Sequence, residues 1–365
     1  MKNSIRNISI KNINKCSSIS EILKLNSIKF PKKVFIYDHT SEKIKKISYS
    51  DFNYHVNSCC NFFNDLKIKK GEVISILLNN SLAYLIIYFA SIRYGSILNP
   101  LPTTLGNKII SEKILEVNPR IIFKDKNVVL NDKKFKKKIV EINSYENFIS
   151  QLMNTKTKKN KLRKENKKSI VMLYYSSGTT GKSKIISYSN EAILENQKSL
   201  ISSRLTYNRN IHLCFLPLYH TASLRYSIKF NLCVGGTVVL FKNFWSLKDS
   251  IWKIVDKYKI NYFQTVPTIL NVILNTDYTK FSRPKSIKFV GSGSAILPWQ
   301  MKRDFEKKFK IKISNLYGLS EIGCSHFQDP FVKNEKPGHI GKILPAFKFK
   351  IFKEKNLSKN KNVGE

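Results

Sequence analysis

Short runs of β-type apolar residues, each followed by a stretch with helical spacing, recur along this 365-residue chain and limit what it can fold into. Val34–Asp38, Val73–Leu78, Ile97–Pro100 and Ile121–Phe123 read as strands in the first third. The series continues with Ile170–Tyr175, Ile211–Leu216, Thr237–Phe241, Ile287–Val290 and Ile311–Ser314. After Ile47-Ser-Tyr49, the positions Tyr54, Val56, Cys59, Phe62 and Phe63 follow a helical period, with Ser50 or Asp51 as the expected cap. A second helix is expected from about Ser81 to Tyr94, stopped by Gly95. Strands that alternate with helices imply a mostly parallel sheet covered by helices, so the fold class expected is α/β.

Charge is the compositional oddity. Sixty-four basic residues against 25 acidic ones give a net +39. Such an excess suggests a nucleic-acid or anionic-membrane partner. Only nine of the 64 are Arg, leaving 55 Lys, and they are scattered along the whole chain beside many Asn and Ile. Proteins that read bases lean on the planar Arg fork, so a diffuse Lys surplus fits AT-rich codon usage better. No specific nucleic-acid partner is expected. The apolar run Leu82–Ile92 is too short to span a bilayer and ends at Arg93, and MKNSIRNISIKN lacks the apolar core of a secretory leader. Six cysteines, none in CxxC spacing, read as small core residues of a reducing compartment. The expected location is cytoplasmic. Residues 154–168 are almost devoid of apolar side chains and read as a flexible Lys-rich loop, and residues 353–365 as a loose tail.

The strongest chemical signal is Tyr175-Ser-Ser-Gly-Thr-Thr-Gly-Lys-Ser-Lys184, directly after a buried-type strand. Two glycines let backbone N–H groups turn toward an anion, and five Ser/Thr hydroxyls and two lysines surround them. Polyphosphate needs such a set of preorganised donors. A GxxxxGK[ST] loop would need glycine where Ser176 stands, so that motif fails by one position.

The segment instead resembles the [YF]-[ST]-S-G-T-T-G-x-P-K-G loop of the adenylate-forming (AMP-dependent synthetase/ligase) superfamily, with Ser183 for its Pro and Ile185 for its last Gly. Asn315-Leu-Tyr-Gly-Leu-Ser-Glu321 is similar to that family's [NQ]-x-Y-G-x-T-E signature, with Ser320 keeping the hydroxyl. Phe215–Ser223 is similar to P-x-[FY]-H-x-x-G, with Ser223 for the Gly. Gly235-Gly236, Gly291–Pro298 and Gly338–Pro345 match further glycine turns, so the resemblance covers nearly all of the chain.

The resemblance implies two mostly parallel β-sheets sandwiched by helices, with residues 1–365 forming the large N-terminal domain of an acyl-CoA synthetase-like ligase. It implies ATP, Mg2+ and coenzyme A as co-substrates or cofactors, and a small-molecule carboxylic acid as substrate. Ser176, Ser177, Gly178, Thr179, Thr180, Gly181, Lys182 and Lys184 would cradle the phosphates. Gly293 and Ser294 would border adenine and the acyl pocket, Asn315, Tyr317 and Gly318 would hold the nucleotide, and Ser320 and Glu321 would meet the α-phosphate and the metal ion. A lone histidine is most often structural, but the resemblance implies that His220 lines the carboxylate site. No acid occurs between Phe215 and Ser223, which favours a simple fatty or aryl acid over an amino acid.

The implied chemistry has two steps. A carboxylate oxygen attacks the α-phosphorus of ATP and expels pyrophosphate; a thiol sulfur then attacks the acyl carbon and expels AMP. The family's T-G-D segment and small mobile C-terminal domain would follow Glu365, so the chain is expected to be a fragment, one half of a split enzyme, or a binding remnant. Alone it is expected to show little ATP–pyrophosphate exchange. A separately encoded C-terminal domain is a possible partner, and a basic nucleic-acid-binding protein is the distant alternative.

Overall fold

Inner strands buried on both faces organise the fold. In the computed structural model the described residues are 2–130, 135, 138–156, 165–176, 183–203, 210–278, 281–333 and 335–350, with side chains described from residue 9 onward. The strands are β1 (Val34–His39), β2 (Lys45–Ser48), β3 (Val73–Leu77), β4 (Ile97–Pro100), β5 (Ile121–Asp125), β6 (Ile139–Ile142), β7 (Ile170–Tyr175) and β8 (Ile185–Ser189). They continue as β9 (Ile211–Cys214), β10 (Thr237–Phe241), β11 (Tyr262–Thr265), β12 (Phe289–Ser292), β13 (Lys312–Leu319), β14 (Gly323–Phe327) and β15 (Lys342–Ile343). Six of them form one sheet in the order β6-β5-β3-β4-β7-β8, and nine form the other in the order β15-β14-β13-β12-β11-β9-β10-β1-β2. Pairing is parallel except at the ends, where β2, β8, β14 and β15 run antiparallel to their neighbours.

The helices are α1 (Lys2–Lys15), α2 (Ile19–Lys29), α3 (Tyr49–Asp65), α4 (Leu82–Tyr94), α5 (Asn107–Val117) and α6 (Tyr145–Met153). The second half adds α7 (Asn190–Ser202), α8 (Thr221–Ser223), α9 (Phe230–Val234), α10 (Ile251–Lys257), α11 (Pro267–Asn275) and α12 (Trp299–Phe309). Between α8 and α9, residues Leu224–Lys229 form a π-helical segment, so one continuous rod changes its winding in the middle.

Three apolar clusters fill the layers. Val238 and Leu240 on β10 point with Ile74 and Ile76 of β3 into a core between the sheets, which also takes α2, α3, α4 and α9. The opposite face of β10, through Val239 and Phe241, packs with Trp252, Phe305 and Phe309 of the outer helices. Leu77 and Ile122 meet α5 on the far side of the six-stranded sheet. The two-sheet α/β sandwich anticipated from the sequence is therefore the observed one.

α4 is buried over all but its last residue because it lies between the sheets. Its terminal Arg93 avoids an unpaired buried charge by donating to Ser20 Oγ at 2.9 Å and Asn57 Oδ1 at 2.7 Å. Ser81 caps its start and left-handed Gly95 its end, as anticipated. The cap of α3 differs from expectation. Ser48 is the N-cap, and Asp51 is the third helical residue of a capping box, because β2 stays extended until Ser48. The cysteines are all buried and free, matching their reading as core residues. Among the described residues no helix is long and apolar enough to cross a membrane.

Candidate functional site

The segment Ser176–Lys184 is the connection of a β-hairpin. β7 and β8 pair from Ile170–Ser189 to Tyr175–Ile185. The Ser176 N–H donates to the Lys184 carbonyl at 2.9 Å, and the Lys184 N–H donates back to Ser176 Oγ at 3.3 Å. Ser177, Gly178, Thr179, Thr180, Gly181 and Lys182 lie outside the described residues. The base beneath them is held to α5. Tyr175 Oη donates to the Lys113 carbonyl at 2.8 Å, while Lys113 Nζ stands 3.6 Å over the Tyr175 ring and donates to Ser183 Oγ at 2.7 Å.

The second half of the site lies on the nine-stranded sheet. β12 ends at Ser292 and turns through Gly293, where a Cβ would stand 2.8 Å from the Leu316 carbonyl oxygen. Only glycine lets this turn lie so close to β13. Ser294 then adopts φ 66°, a left-handed conformation that is uncommon outside glycine and clusters at functional sites. Asn315 pairs with Ser292 in parallel register, and its N–H donates to Gln328 Oε1 at 2.9 Å.

Beyond Asn315, β13 leaves β12 and folds back with β14 in an antiparallel hairpin, bulged between Tyr317 and Gly318. A bulge re-aims side chains, and the Tyr317 ring is left 42 % exposed, 5.7 Å from that of His326. Gly318 packs on the backbone of Gly323 and Cys324 with no room for a side chain.

The halves meet at β8. Tyr188 Oη donates to the Ser320 carbonyl, and Asn196 Nδ2 of α7 donates to the Cys324 carbonyl at 3.0 Å. Glu321, whose side chain is exposed, borders a cavity of about 60 Å3 together with Ser187 and Tyr188 of β8, Asn196 and Gln197 of α7, and Thr221, Arg225 and Lys229. Thr221 places His220 at the rim as the N-cap residue of α8. The His220 ring lies 4.7 Å from that of Tyr219, and protein atoms around it lower its pKa, although the residue is exposed.

The backbone around His220 is held in place. The Ser223 hydroxyl donates to the Pro217 carbonyl at 2.8 Å. The Asn80 side chain accepts from Leu218 N–H at 2.7 Å and donates to the carbonyls of Leu216 and Phe241.

The structure thus brings together Ser320, Glu321, the hairpin bearing Ser176 and Lys184, and the residue next to His220. Gly293, Ser294, Asn315, Tyr317 and Gly318 follow the β12–β13 edge of the same region. Sequence reading missed Asn80, Tyr188, Asn196, Gln197, Arg225 and Lys229, which belong to no motif. Only Arg225 and Lys229 carried a signal, as basic residues in a helical stretch with apolar neighbours. Among the described residues no group of three or more His, Cys, Asp or Glu could hold a metal ion. Glu321 stands in no such group among the described residues, which suits a Mg2+ ion whose remaining ligands are phosphate oxygens and water.

Comparison with known proteins agrees with this geometry. The sequence profile of the family described as "AMP-binding enzyme" matches residues 25–365. A 4-coumarate–CoA ligase-like protein of Arabidopsis thaliana is 25 % identical over 307 residues, covering 79 % of this chain and 55 % of that protein. A long-chain-fatty-acid–CoA ligase of Bacillus subtilis is 26 % identical over 375 residues, covering 92 % of this chain and 66 % of that protein. The solved fatty acyl CoA synthetase of Mycobacterium tuberculosis superposes with a TM-score of 0.79 at 17 % identity, over 90 % of this chain and 65 % of its own. The chain therefore spans a little over half to about two-thirds of the length of the relatives it matches.

Proposed function

This chain belongs to the AMP-binding enzyme family, and from that premise we propose that it binds ATP between the β7–β8 hairpin and the β12–β14 turns. There it activates a carboxylic acid as the acyl-adenylate, for transfer to a thiol such as that of coenzyme A. The observation that carries this reading is the Tyr188–Ser320 hydrogen bond. It ties the strand leaving the Ser176–Lys184 connection to the turn bearing Glu321, which supports pairing the proposed phosphate loop with a carboxylate for its cation.

In this reading the N–H groups and hydroxyls of residues 177–182, with Lys184, neutralise the pyrophosphate leaving group. Tyr317 offers a half-exposed ring face for adenine. Ser320 meets the α-phosphate, and Asn315, Gly318, Gly293 and Ser294 shape the nucleoside and acyl side. His220, whose pKa is lowered by the protein atoms around it, favours the neutral ring, which donates a hydrogen bond to the acid. Glu321 would hold Mg2+, which supplies charge neutralisation on the phosphates when bound. A T-G-D segment and small domain, on the same polypeptide or a separate one, complete the cycle in this proposal.

Calorimetric titration of the 365-residue chain with AMP and with MgATP tests the reading. Both nucleotides are expected to bind. Glu321→Gln should weaken MgATP by about tenfold while leaving magnesium-free AMP within about twofold, because only the former uses the cation. Tyr188→Phe should weaken both nucleotides by uncoupling the two halves. A chain that binds neither nucleotide overturns the proposal.

A further inference from the structure

The cavity behind Glu321 carries an electrostatic signature of its own. Arg225 and Lys229, four residues apart on the π-helical segment, are 6 % and 5 % exposed. The hydrogen-bonding neighbours of the Arg225 guanidinium are the neutral phenols of Tyr188 and Tyr226. Neither cation forms an ion pair with a carboxylate among the described residues. The two repel each other: burial and, after it, the charge of Arg225 bring the Lys229 pKa down to about 7.

Two further groups on the wall lack partners. The side-chain oxygens of Asn196 and Gln197 are buried without a hydrogen-bond donor. Folded proteins rarely leave paired like charges and bare polar atoms around a buried space unless a ligand meets them. π-helical turns are themselves concentrated at functional sites.

We propose that this cavity is the distal half of the acid pocket and that the preferred substrate is a short acid carrying a second anionic group, carboxylate or sulfonate, rather than a fatty or plain aryl acid. The inference rests on the adenylation reading above, which sets the reacting carboxylate near His220 and Glu321. From Thr221 to Lys229 the rod advances about 10 Å, which bounds the acid to a few carbons. An anion between Arg225 and Lys229 turns their repulsion into two charge-assisted contacts, and water or a ligand hydroxyl meets the Asn196 and Gln197 oxygens. A long alkyl chain entering the same space would strip water from both cations without replacing it, which disfavours it.

The test uses the 365-residue chain, titrated by calorimetry with malonate, succinate, glutarate and 3-sulfopropanoate. Propanoate, butanoate and hexanoate are the monoanionic controls, inorganic sulfate is a free-anion control, and each is run with and without saturating AMP. At least one dianion is expected to bind about tenfold or more tightly than the monoanion of matching length. The carboxylate and sulfonate members identify which head group is preferred. Lys229→Met should abolish that preference and bring hexanoate level with or above glutarate, whereas Arg225→Lys should retain part of it. Lys229→Met removes a buried amine and is expected to melt higher than the parent, so its effect on binding is readable on a folded protein.

Monoanions that match or exceed the dianions, sulfate that binds as tightly as any acid, or a preference unchanged in Lys229→Met overturns the inference. Failure of every acid overturns it whatever AMP does. Loss of AMP binding with the dianion still bound overturns the nucleotide reading alone.

Discussion

Lys229 is a buried amine beside a guanidinium, an arrangement that destabilises the fold. The ammonium holds its proton up to about pH 10.5 in an unfolded chain but releases it near 7 in the folded one. Between those limits the unfolded state binds more protons, so the Lys229 contribution to stability rises with pH from 7 to 10 and is lost on the way down. Lys229→Met should therefore raise the urea midpoint at pH 7 and flatten its climb between pH 7 and 9.5; an unchanged profile contradicts burial of the charge. A residue kept at such expense of stability is more readily explained by ligand binding than by packing.

At this scale the sequence was legible only where chemistry and spacing coincide. Ser320 and Glu321 were found because a tyrosine, a glycine, a hydroxyl and an acid stand in a fixed short pattern. Tyr188, Arg225 and Lys229 were missed because their significance comes from β8, the π-helical rod and the β13–β14 turn meeting across the chain, about 130 residues apart for Tyr188 and Ser320. No local periodicity encodes such a meeting.

β9 illustrates what an element requires of its members. This central strand of the nine-stranded sheet carries His212, fully buried, stacked on Phe230 at 5.3 Å and 3.0 Å from the Tyr226 carbonyl through Nδ1. Burial pushes its pKa down to about 3, against the backbone hydrogen bond that partly restores it. Below the unfolded value near 6.5 the unfolded chain takes up a proton that the folded chain refuses. Stability supplied by the neutral ring is thus complete above pH 6.5 and is lost as pH falls toward 3, by up to roughly 5 kcal/mol. His212→Asn should shrink that acid-side loss, which chemical denaturation at pH 7.5, 6 and 4.5 would reveal as converging midpoints.

Elements were the most readable level of the sequence. β7, β10 and the α4 helix with its Ser81 and Gly95 ends fall where apolar runs and caps put them. The β12 strand begins two residues later than its apolar run, and β13 runs five residues beyond its expected end because the antiparallel β14 continues its pairing. α1 and α2 were not anticipated. Their residues are polar over much of their length, and their apolar positions become meaningful only once Ile13, Ile19, Ile22 and Leu23 are seen in the shared core. The Tyr175–Lys184 segment was read as a phosphate loop from its glycines, hydroxyls and lysines, but positions 177–182 lie outside the described residues, as does most of the Lys-rich 154–168 stretch.

Across the whole molecule the excess of 39 positive charges acts on the compact state itself. Lysines spread over the surface repel one another at low ionic strength, and salt screens that repulsion beyond about 10 Å at 0.1 M. The melting temperature should therefore rise by a few degrees between about 20 mM and 300 mM NaCl. Any DNA binding at the lower concentration should disappear at the higher without sequence preference. A flat melting profile would mean that the charges are already paired, contrary to their distribution.

The rod between Thr221 and Val234 also bears on how a chain of this kind could change its diet. A π turn accommodates one residue more than an α turn, so removing a single residue from Leu224–Lys229 would let the rod rewind. Every side chain on one side of the deletion would then swing by about 100° relative to the other side. Arg225 and Lys229 would no longer face the same space. A one-codon deletion could thereby exchange a charged chamber for an oily one while leaving both sheets and the nucleotide rim untouched.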